Sequence, residues 1–358
     1  MRRHAVSRFV VAWALCASCA KPPPMPPPLA VAQQAERAPD KSEAVREYQR
    51  ILAMCKAGTA PASLRQKDDC GLAAFRLGQQ LELLGQLPEA AQAYREVEAL
   101  SRDVTKVARS LFRAAELYAD RIAQPAVAIE LCQHIIATHP AEVAAEDALR
   151  AMTRWRRDDD TLIPELDQIA KTHAAHVPLA SFAWLLSAQR AEDKQQPGEA
   201  VRRYDELAKR YPKGPLIDDA LVSAAKVLRS QKRYGEAAER LERLQRTFSS
   251  ALLVGHYNLY LLAEGALLLG QIYLHDMRQP ARAIPALLGF LKRQPTSRLA
   301  DDALLLLAEA AHKRHSPPSP ADKAEACRYL SQLYKQYPDT NQRRRADELT
   351  QSLACPTP

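Results

Sequence analysis

A short sequence repeat constrains the fold of this chain more than any other feature. At three separate places a proline is followed, seven residues later, by the tripeptide Asp-Ala-Leu. The prolines are Pro140, Pro212 and Pro295, and the aspartates are Asp147, Asp219 and Asp302. In the copy at residues 198–229, apolar residues recur at helical spacing on both sides of the break around the proline. A repeated pair of helices predicts a solenoid, in which each hairpin buries its apolar side against its neighbours.

The composition favours an all-α fold. The 358 residues include only 11 Gly, and good helix formers such as Ala, Leu, Glu and Arg dominate. Three of the eight net positive charges come from Arg2, Arg3 and Arg8, and the remaining +5 is spread over helix surfaces, so we interpret the short basic clusters at 154–157 and 343–345 as solvated. Nucleic-acid binding requires a basic stripe with interleaved aromatic residues. The sequence therefore predicts no nucleic-acid partner.

The N-terminus has the features of an export signal. Arg2 and Arg3 precede an apolar stretch, residues 9–15, that is too short to span a bilayer as a mature helix. Small residues at the right places also allow an ordinary secretory signal that is cut after Ala20. That alternative predicts a soluble periplasmic protein.

The residues after the apolar stretch resemble a bacterial lipobox. Ala17 and Ser18 precede Cys19, whereas Cys16 stands where the lipobox usually has Leu. The resemblance implies that residues 1–18 are removed and that the Cys19 thiol carries a diacylglycerol, with acyl chains such as palmitate. Because Ala20 follows the cysteine, it also implies an outer-membrane lipoprotein that faces the periplasm.

A spacer and a first helix are predicted before the repeats. Residues 19–39 begin with a proline-rich run, which is extended and stiff, so we expect the lipidated cysteine to be followed by a tether. Residues 40–66 are predicted to hold an N-terminal helix, with its apolar side at helical spacing.

Residues 67–338 resemble tetratricopeptide repeats, in which small residues, an aromatic residue and a closing proline occupy fixed places in two helices. Matching residues include Leu77, Gly78, Ala90 and Tyr94 in the first repeat, and Trp184, Ala188, Ala200, Tyr204 and Pro212 in the fourth. The resemblance implies a right-handed superhelix of about seven hairpins, which a capping helix and tail at 339–358 would close. HEAT-like packing of the helices is the alternative.

The resemblance implies a function in protein binding. The first helices of such repeats line a concave groove, and the groove candidates here are Gln79, Glu116, Gln189, Lys226, Arg229 and Gln271. The repeated proline with Asp-Ala-Leu is similar to the outer-membrane assembly and Tol–Pal-associated lipoproteins. This implies a scaffold that binds envelope proteins or peptide segments, as strand or as helix; assembly factors of secretins and motility machines are similar too.

Two disulfide bonds are predicted at the ends of the solenoid. An exported chain meets an oxidising compartment. Cys55 and Cys70 lie on successive helices, and Cys327 and Cys355 lie on the last repeat and the cap. Cys132 falls at a packing position and is expected to be a buried free thiol.

The sequence contains no motif for catalysis. HExxH, P-loop and Gly-Xaa-Ser-Xaa-Gly patterns are missing, and no pair of CxxC motifs is present, because the single CxxC, Cys16 to Cys19, lies in the lipobox-like segment. No metal site and no cofactor are predicted, so we expect a protein that is not an enzyme. The alternative is a solenoid platform of a peptidoglycan-acting enzyme, which would need a catalytic domain outside the repeats.

Overall fold

The structure is a computed structural model, and it describes residues 28–61, 64, 68–250 and 259–356. Within these ranges it contains α-helices, one π-helical turn and no strand. The helices are α1 (Pro28–Ala35), α2 (Ser42–Lys56), α3 (Asp69–Leu83), α4 (Leu87–Leu100), α5 (Val104–Asp120), α6 (Pro125–Thr138), α7 (Val143–Trp155), α8 (Leu162–Thr172), α9 (Val177–Asp193), α10 (Pro197–Arg210), α11 (Ile217–Ser230), α12 (Tyr234–Ser250), α13 (Leu259–Gln271), α14 (Pro280–Arg293), α15 (Ala300–His312), α16 (Pro320–Gln336) and α17 (Arg343–Ser352). The predicted all-α fold is confirmed. The predicted lipobox, with Cys19, lies outside the described residues.

The chain forms two compact units, one up to Ser101 and one from Arg102 onward. The first unit contains α1 to α4, each packed on the next. The first predicted repeat, α3–α4, lies in the first unit, and the later repeats lie in the second.

The predicted tether at 19–39 is wrong for its second half. Residues 28–35 form α1, whose proline occupies the first turn, where its missing N–H costs nothing. Ala32 and Ala35 are buried, and α1 packs against α2. The hydroxyl of Tyr48 on α2 donates to Glu36 at 2.6 Å. The alanine-rich residues after the proline-rich run therefore belong to the folded unit and not to a spacer.

Among the described residues, the second unit is a series of six helix pairs followed by α17, and five of the pairs pack closely as hairpins. The leading helices are α5, α7, α9, α11, α13 and α15, and the trailing helices are α6, α8, α10, α12, α14 and α16. Asp219 and Asp302 are the third residues of α11 and α15, and Asp147 is the fifth residue of α7. All three aspartates therefore lie near the start of a leading helix, two of them in its first turn. Asp147 lies deeper in its helix because α7 begins three residues after its proline instead of five.

Five of the helix pairs, in both units, share one kind of turn. A residue with positive φ stands two positions before the trailing helix, and the next backbone N–H returns to the last turn of the leading helix. These residues are Gly85, Ala123, Gln195, Lys232 and Arg278. Only Gly85 is a glycine, so the other four adopt a backbone conformation that costs about 1 kcal/mol or more for a residue with a Cβ. The low glycine count hides this repeated turn from sequence analysis.

Both cysteine pairs that the sequence predicts are disulfide-bonded in the structure. Cys55 on α2 is joined to Cys70 on α3, and Cys327 on α16 is joined to Cys355 just after α17. A crosslink of this kind contributes about 2–4 kcal/mol by restricting the unfolded chain.

The reactivity of Cys132 on α6 tests whether a buried thiol in this core is inert. It is fully buried, and burial raises the pKa of its thiol to about 12. In a chain with Cys16 and Cys19 replaced by serine, we expect a maleimide to leave the native protein unlabelled at pH 7 and to add one label in urea without reductant, because the thiolate is the reactive form. Mass spectrometry of the intact chain measures both values. Labelling of the native chain at the rate of a free thiol would contradict the packing of α6.

Candidate protein-binding surface

Four neighbouring pairs of leading helices in the second unit lie side by side. Close backbone contacts join α5 to α7, α7 to α9, α11 to α13 and α13 to α15. The surface that they present carries five of the predicted groove residues, and we call it the leading-helix face. Those residues are Glu116, Gln189, Lys226, Arg229 and Gln271. Gln79, the sixth candidate, lies on α3 in the first unit, where its side chain accepts from Arg76 at 3.1 Å.

Three of the predicted residues are brought together between α11 and α13. Lys226 is paired with Glu264 at 2.7 Å. Arg229 donates to Gln271 at 3.1 Å and to Asp276 at 2.6 Å. The side chains that the sequence places on the groove thus also join neighbouring hairpins, because a residue at the seam between two leading helices contacts both of them.

A π-helical turn, Ile272–Asp276, ends α13 and directs three side chains toward three different helices. The Tyr273 hydroxyl donates to Glu242 of α12, Asp276 accepts from α11, and His275 lies 3.5 Å from Glu309 of α15. Glu309 also accepts from Arg345 of α17 at 2.9 Å. The wider turn shifts the helical register, which is why consecutive residues reach separate partners. Nothing in the sequence distinguishes this turn from regular helix.

The other end of the leading-helix face is held by aromatic and ionic contacts. Trp155 of α7 donates to Asp120 of α5 at 3.1 Å, and the Arg150 guanidinium lies 4.8 Å from the centre of the Phe182 ring of α9. Glu116 is paired with Arg113 of its own helix at 2.9 Å. Gln189 is exposed. This end therefore offers hydrogen-bonding groups to a partner.

Acidic and basic side chains alternate across the leading-helix face. Lys226 stays about half exposed although it is paired, and burial lowers the pKa of His275. A surface of paired charges selects a partner by the placement of hydrogen bonds more than by net charge. Among the described residues, no three His, Cys, Asp or Glu side chains come together as a metal site requires.

A serine, a histidine and an aspartate lie together near the start of α16. Ser319 and His315 both contact Asp322, at 2.7 and 2.8 Å, and the Asp322 backbone N–H donates to Ser319. These contacts, those of Ser319 first, hold the pKa of Asp322 well below its usual range. Because the serine hydroxyl is directed at the carboxylate, the imidazole cannot act as its base. Ser319 and Asp322 form a capping box, and His315 adds a contact to its carboxylate.

Asp219 predicts a dependence of stability on pH. Burial, followed by the charge of Asp218, raises its pKa from 3.8 to about 6. The folded state therefore binds the proton more tightly than the unfolded state, so this group stabilises the fold below about pH 4 and loses that contribution as pH rises through about 6. We expect Asp219→Asn to raise the free energy of unfolding at pH 7 but not at pH 4, in urea titrations. Asp147→Asn, at the matching position of α7, is the control. A lower stability of Asp219→Asn at pH 7 would contradict the assignment.

The stacked hairpins define the class of this protein as a helical-repeat protein. Two family models, both described as tetratricopeptide repeat, match the chain at residues 185–251 and 302–340. These ranges cover the second half of α9, the helices α10 to α12 and most of α15–α16. The comparison thus supports tetratricopeptide repeats in these two ranges, both in the second unit, whereas the sequence predicts them over 67–338. The outer-membrane subclass stays a prediction.

Several solved structures are similar to the chain. The C-terminal part of a TPR repeat-containing protein from Cytophaga hutchinsonii is 13% identical, with 77% of this chain and 99% of that chain covered and a TM-score of 0.43. PilF of Pseudomonas aeruginosa is 14% identical, with coverages of 66% and 97% and a TM-score of 0.35. The TPR2AB domain of yeast Sti1, in a complex with pHSP90, is 15% identical, with coverages of 79% and 97% and a TM-score of 0.30. No curated protein sequence matches significantly. None of the helices in the described ranges is both long and apolar enough to cross a membrane.

Proposed function

We propose that this protein is a non-catalytic scaffold of the bacterial cell envelope that binds segments of partner proteins on its leading-helix face. Proteins with tetratricopeptide repeats commonly mediate protein–protein interactions, and parallel helices that stand side by side suit an extended or helical segment. The observation that carries the proposal is the series of partly exposed polar side chains at the seams, with Lys226 and Arg229 at its centre.

The envelope location is part of the proposal. Two disulfide bonds support an oxidising compartment, since cytosolic proteins rarely keep them. The lipobox-like residues before Cys19 support a lipid anchor, which holds the scaffold at the outer membrane beside the proteins that it helps to assemble.

In-cell photocrosslinking tests the binding face. A photoreactive amino acid at position 189 or 226 should trap the same protein, because both positions lie on the leading-helix face. The matched control is position 130, where Glu130 is exposed on the trailing helix α6. Binding of the trapped protein to purified wild type and Lys226→Glu then measures the contribution of the face. Equal trapping from all three positions would contradict it.

Fractionation tests the anchor separately. We expect Cys19→Ala to move the protein from the membrane fraction to the soluble fraction, because the acylated thiol is removed. Cys16→Ala, three residues earlier, should remain with the membranes. An unchanged distribution of Cys19→Ala would exclude the lipid anchor and leave the binding face untouched.

A further inference from the structure

A cleft of about 490 Å³ lies between α16 and the C-terminal tail. On α16, its lining residues Pro320, Ala324, Cys327 and Ser331 follow at intervals of three or four, so they share one side of the helix. These side chains are small and mostly apolar, which leaves the helix surface open to a larger group. The volume is in the range of sites that enclose a ligand or an anchoring side chain.

A disulfide bond builds the opposite wall of this cleft. Ala354 and Pro356 of the tail line it, and the residue between them, Cys355, is bonded to Cys327 on its floor. The crosslink holds the tail alongside α16. The cleft is therefore a feature of the oxidised protein.

Charge decides what kind of group fits the cleft. Two of the lining residues, Lys323 and Arg328, are basic and exposed, and none of the lining residues is acidic. The nearby Glu325 contacts Arg328 only at 3.5 Å, while its other carboxylate oxygen binds Arg314. Cations around an apolar floor complement a bulky apolar side chain with acidic neighbours.

We propose that this cleft binds a segment of a partner protein in which an aromatic or large aliphatic residue is flanked by acidic residues. The apolar side chain enters between α16 and the tail, and the carboxylates pair with Lys323 and Arg328. This surface belongs to a trailing helix, so it is separate from the leading-helix face and does not depend on the proposed function. A single protein can then hold two partners at once.

Fluorescence polarisation tests the proposal. The probe is a fluorescein-labelled peptide in which Leu-Phe is flanked on each side by two Glu, added to the purified chain with both disulfides intact. Control peptides replace the Glu by Lys, or Leu-Phe by Ser-Ser. Ala324→Trp fills the cleft, and Lys323→Glu and Arg328→Glu reverse its charges. Lys335→Glu makes the same charge change on α16 outside the cleft and is the matched control.

We expect the acidic apolar peptide to bind, each cleft reversal to weaken it by about five- to tenfold, and Ala324→Trp to abolish binding. Lys335→Glu should bind like wild type, and Cys355→Ser should lose binding while its circular dichroism is unchanged. Equal binding of the Ser-Ser peptide, or equal binding to Ala324→Trp, would overturn the proposal. So would failure of the probe to bind. Displacement of the peptide by phosphatidylglycerol vesicles would assign the cleft to a lipid headgroup, and loss of a self-associated form in Ala324→Trp would assign it to a second copy of the chain.

Discussion

Gly270→Ala will lower the free energy of unfolding by about 1–3 kcal/mol, because one methyl group must enter a closed contact. A Cβ at this position would lie 2.6 Å from one Cδ atom of Leu287 and 2.9 Å from its Cγ. Leu287 is completely buried on α14. Since the contact includes Cγ, rotation of the leucine tip does not relieve it, and α13 and α14 must separate. Urea unfolding followed by circular dichroism measures the loss.

Gly289→Ala provides the control for this substitution. Gly289 lies in the middle of α14, in the same hairpin, and a Cβ there would meet only the flexible end of Arg293 at 3.1 Å. Alanine is favoured over glycine in a helix by about 1 kcal/mol, so Gly289→Ala should be neutral or stabilising. The difference between the two variants isolates the packing cost from helix propensity. Equal stability of both variants would show that the small residue at 270 is not needed for the close approach.

Small residues at helix crossings are the part of the fold that sequence predicts well. The tetratricopeptide pattern places glycine at 78, and a Cβ there would lie 2.7 Å from the Tyr94 ring. Helical periodicity and the Pro-to-Asp offset likewise predict the hairpins, because both arise from local geometry that each repeat must satisfy. Gly270 belongs to the same pattern. It occupies a position in its hairpin where only a residue without a side chain fits.

Features that depend on contacts between residues far apart in the chain could not be predicted from the sequence. α1 forms where a spacer was expected, because burial of Ala32 and Ala35 against α2 outweighs the extended bias of the preceding prolines. The π-helical turn has no local signature, yet it sends Asp276 back to Arg229. On the leading-helix face, the sequence predicts Lys226, Arg229 and Gln271. The acidic partners of Lys226 and Arg229 depend on the register of α13, which the sequence does not predict.

One ionic network, between the third helix pair of the chain (α7–α8) and the fourth (α9–α10), should contribute more to stability than the others. The trailing helix α8 packs closely on α9 but hardly on α7, its own leading helix. Asp167 of α8 joins it to the next hairpin, where Arg203 donates to its carboxylate at 3.1 Å and the Ser187 hydroxyl donates at 2.5 Å.

Asp167→Ala will therefore destabilise the protein by about 2–4 kcal/mol. Arg203 is only 7% exposed, and the substitution removes one of its two carboxylate partners and leaves Glu199, at 2.7 Å, as the other. Breaking a buried ion pair costs about 3–5 kcal/mol when the remaining charge has no partner, and Glu199 reduces that cost. Urea unfolding measures the total, and hydrogen exchange of the α8 amides should accelerate before that of α9.

Two further variants separate the lost ion pair from a general weakening of the hairpin. Asp160→Ala removes a carboxylate that pairs with Lys194 at 2.6 Å, but its side chain is 88% exposed, so we expect a loss of at most about 1 kcal/mol. Asp167→Ala combined with Arg203→Met should be more stable than Asp167→Ala alone, because the double variant no longer buries an incompletely paired guanidinium. If the double variant is instead the sum of the two single losses, Arg203 is held by Glu199 and Ser187 alone. In that case α8 is anchored by its apolar contacts with α9, and the third hairpin needs no ionic link to the fourth.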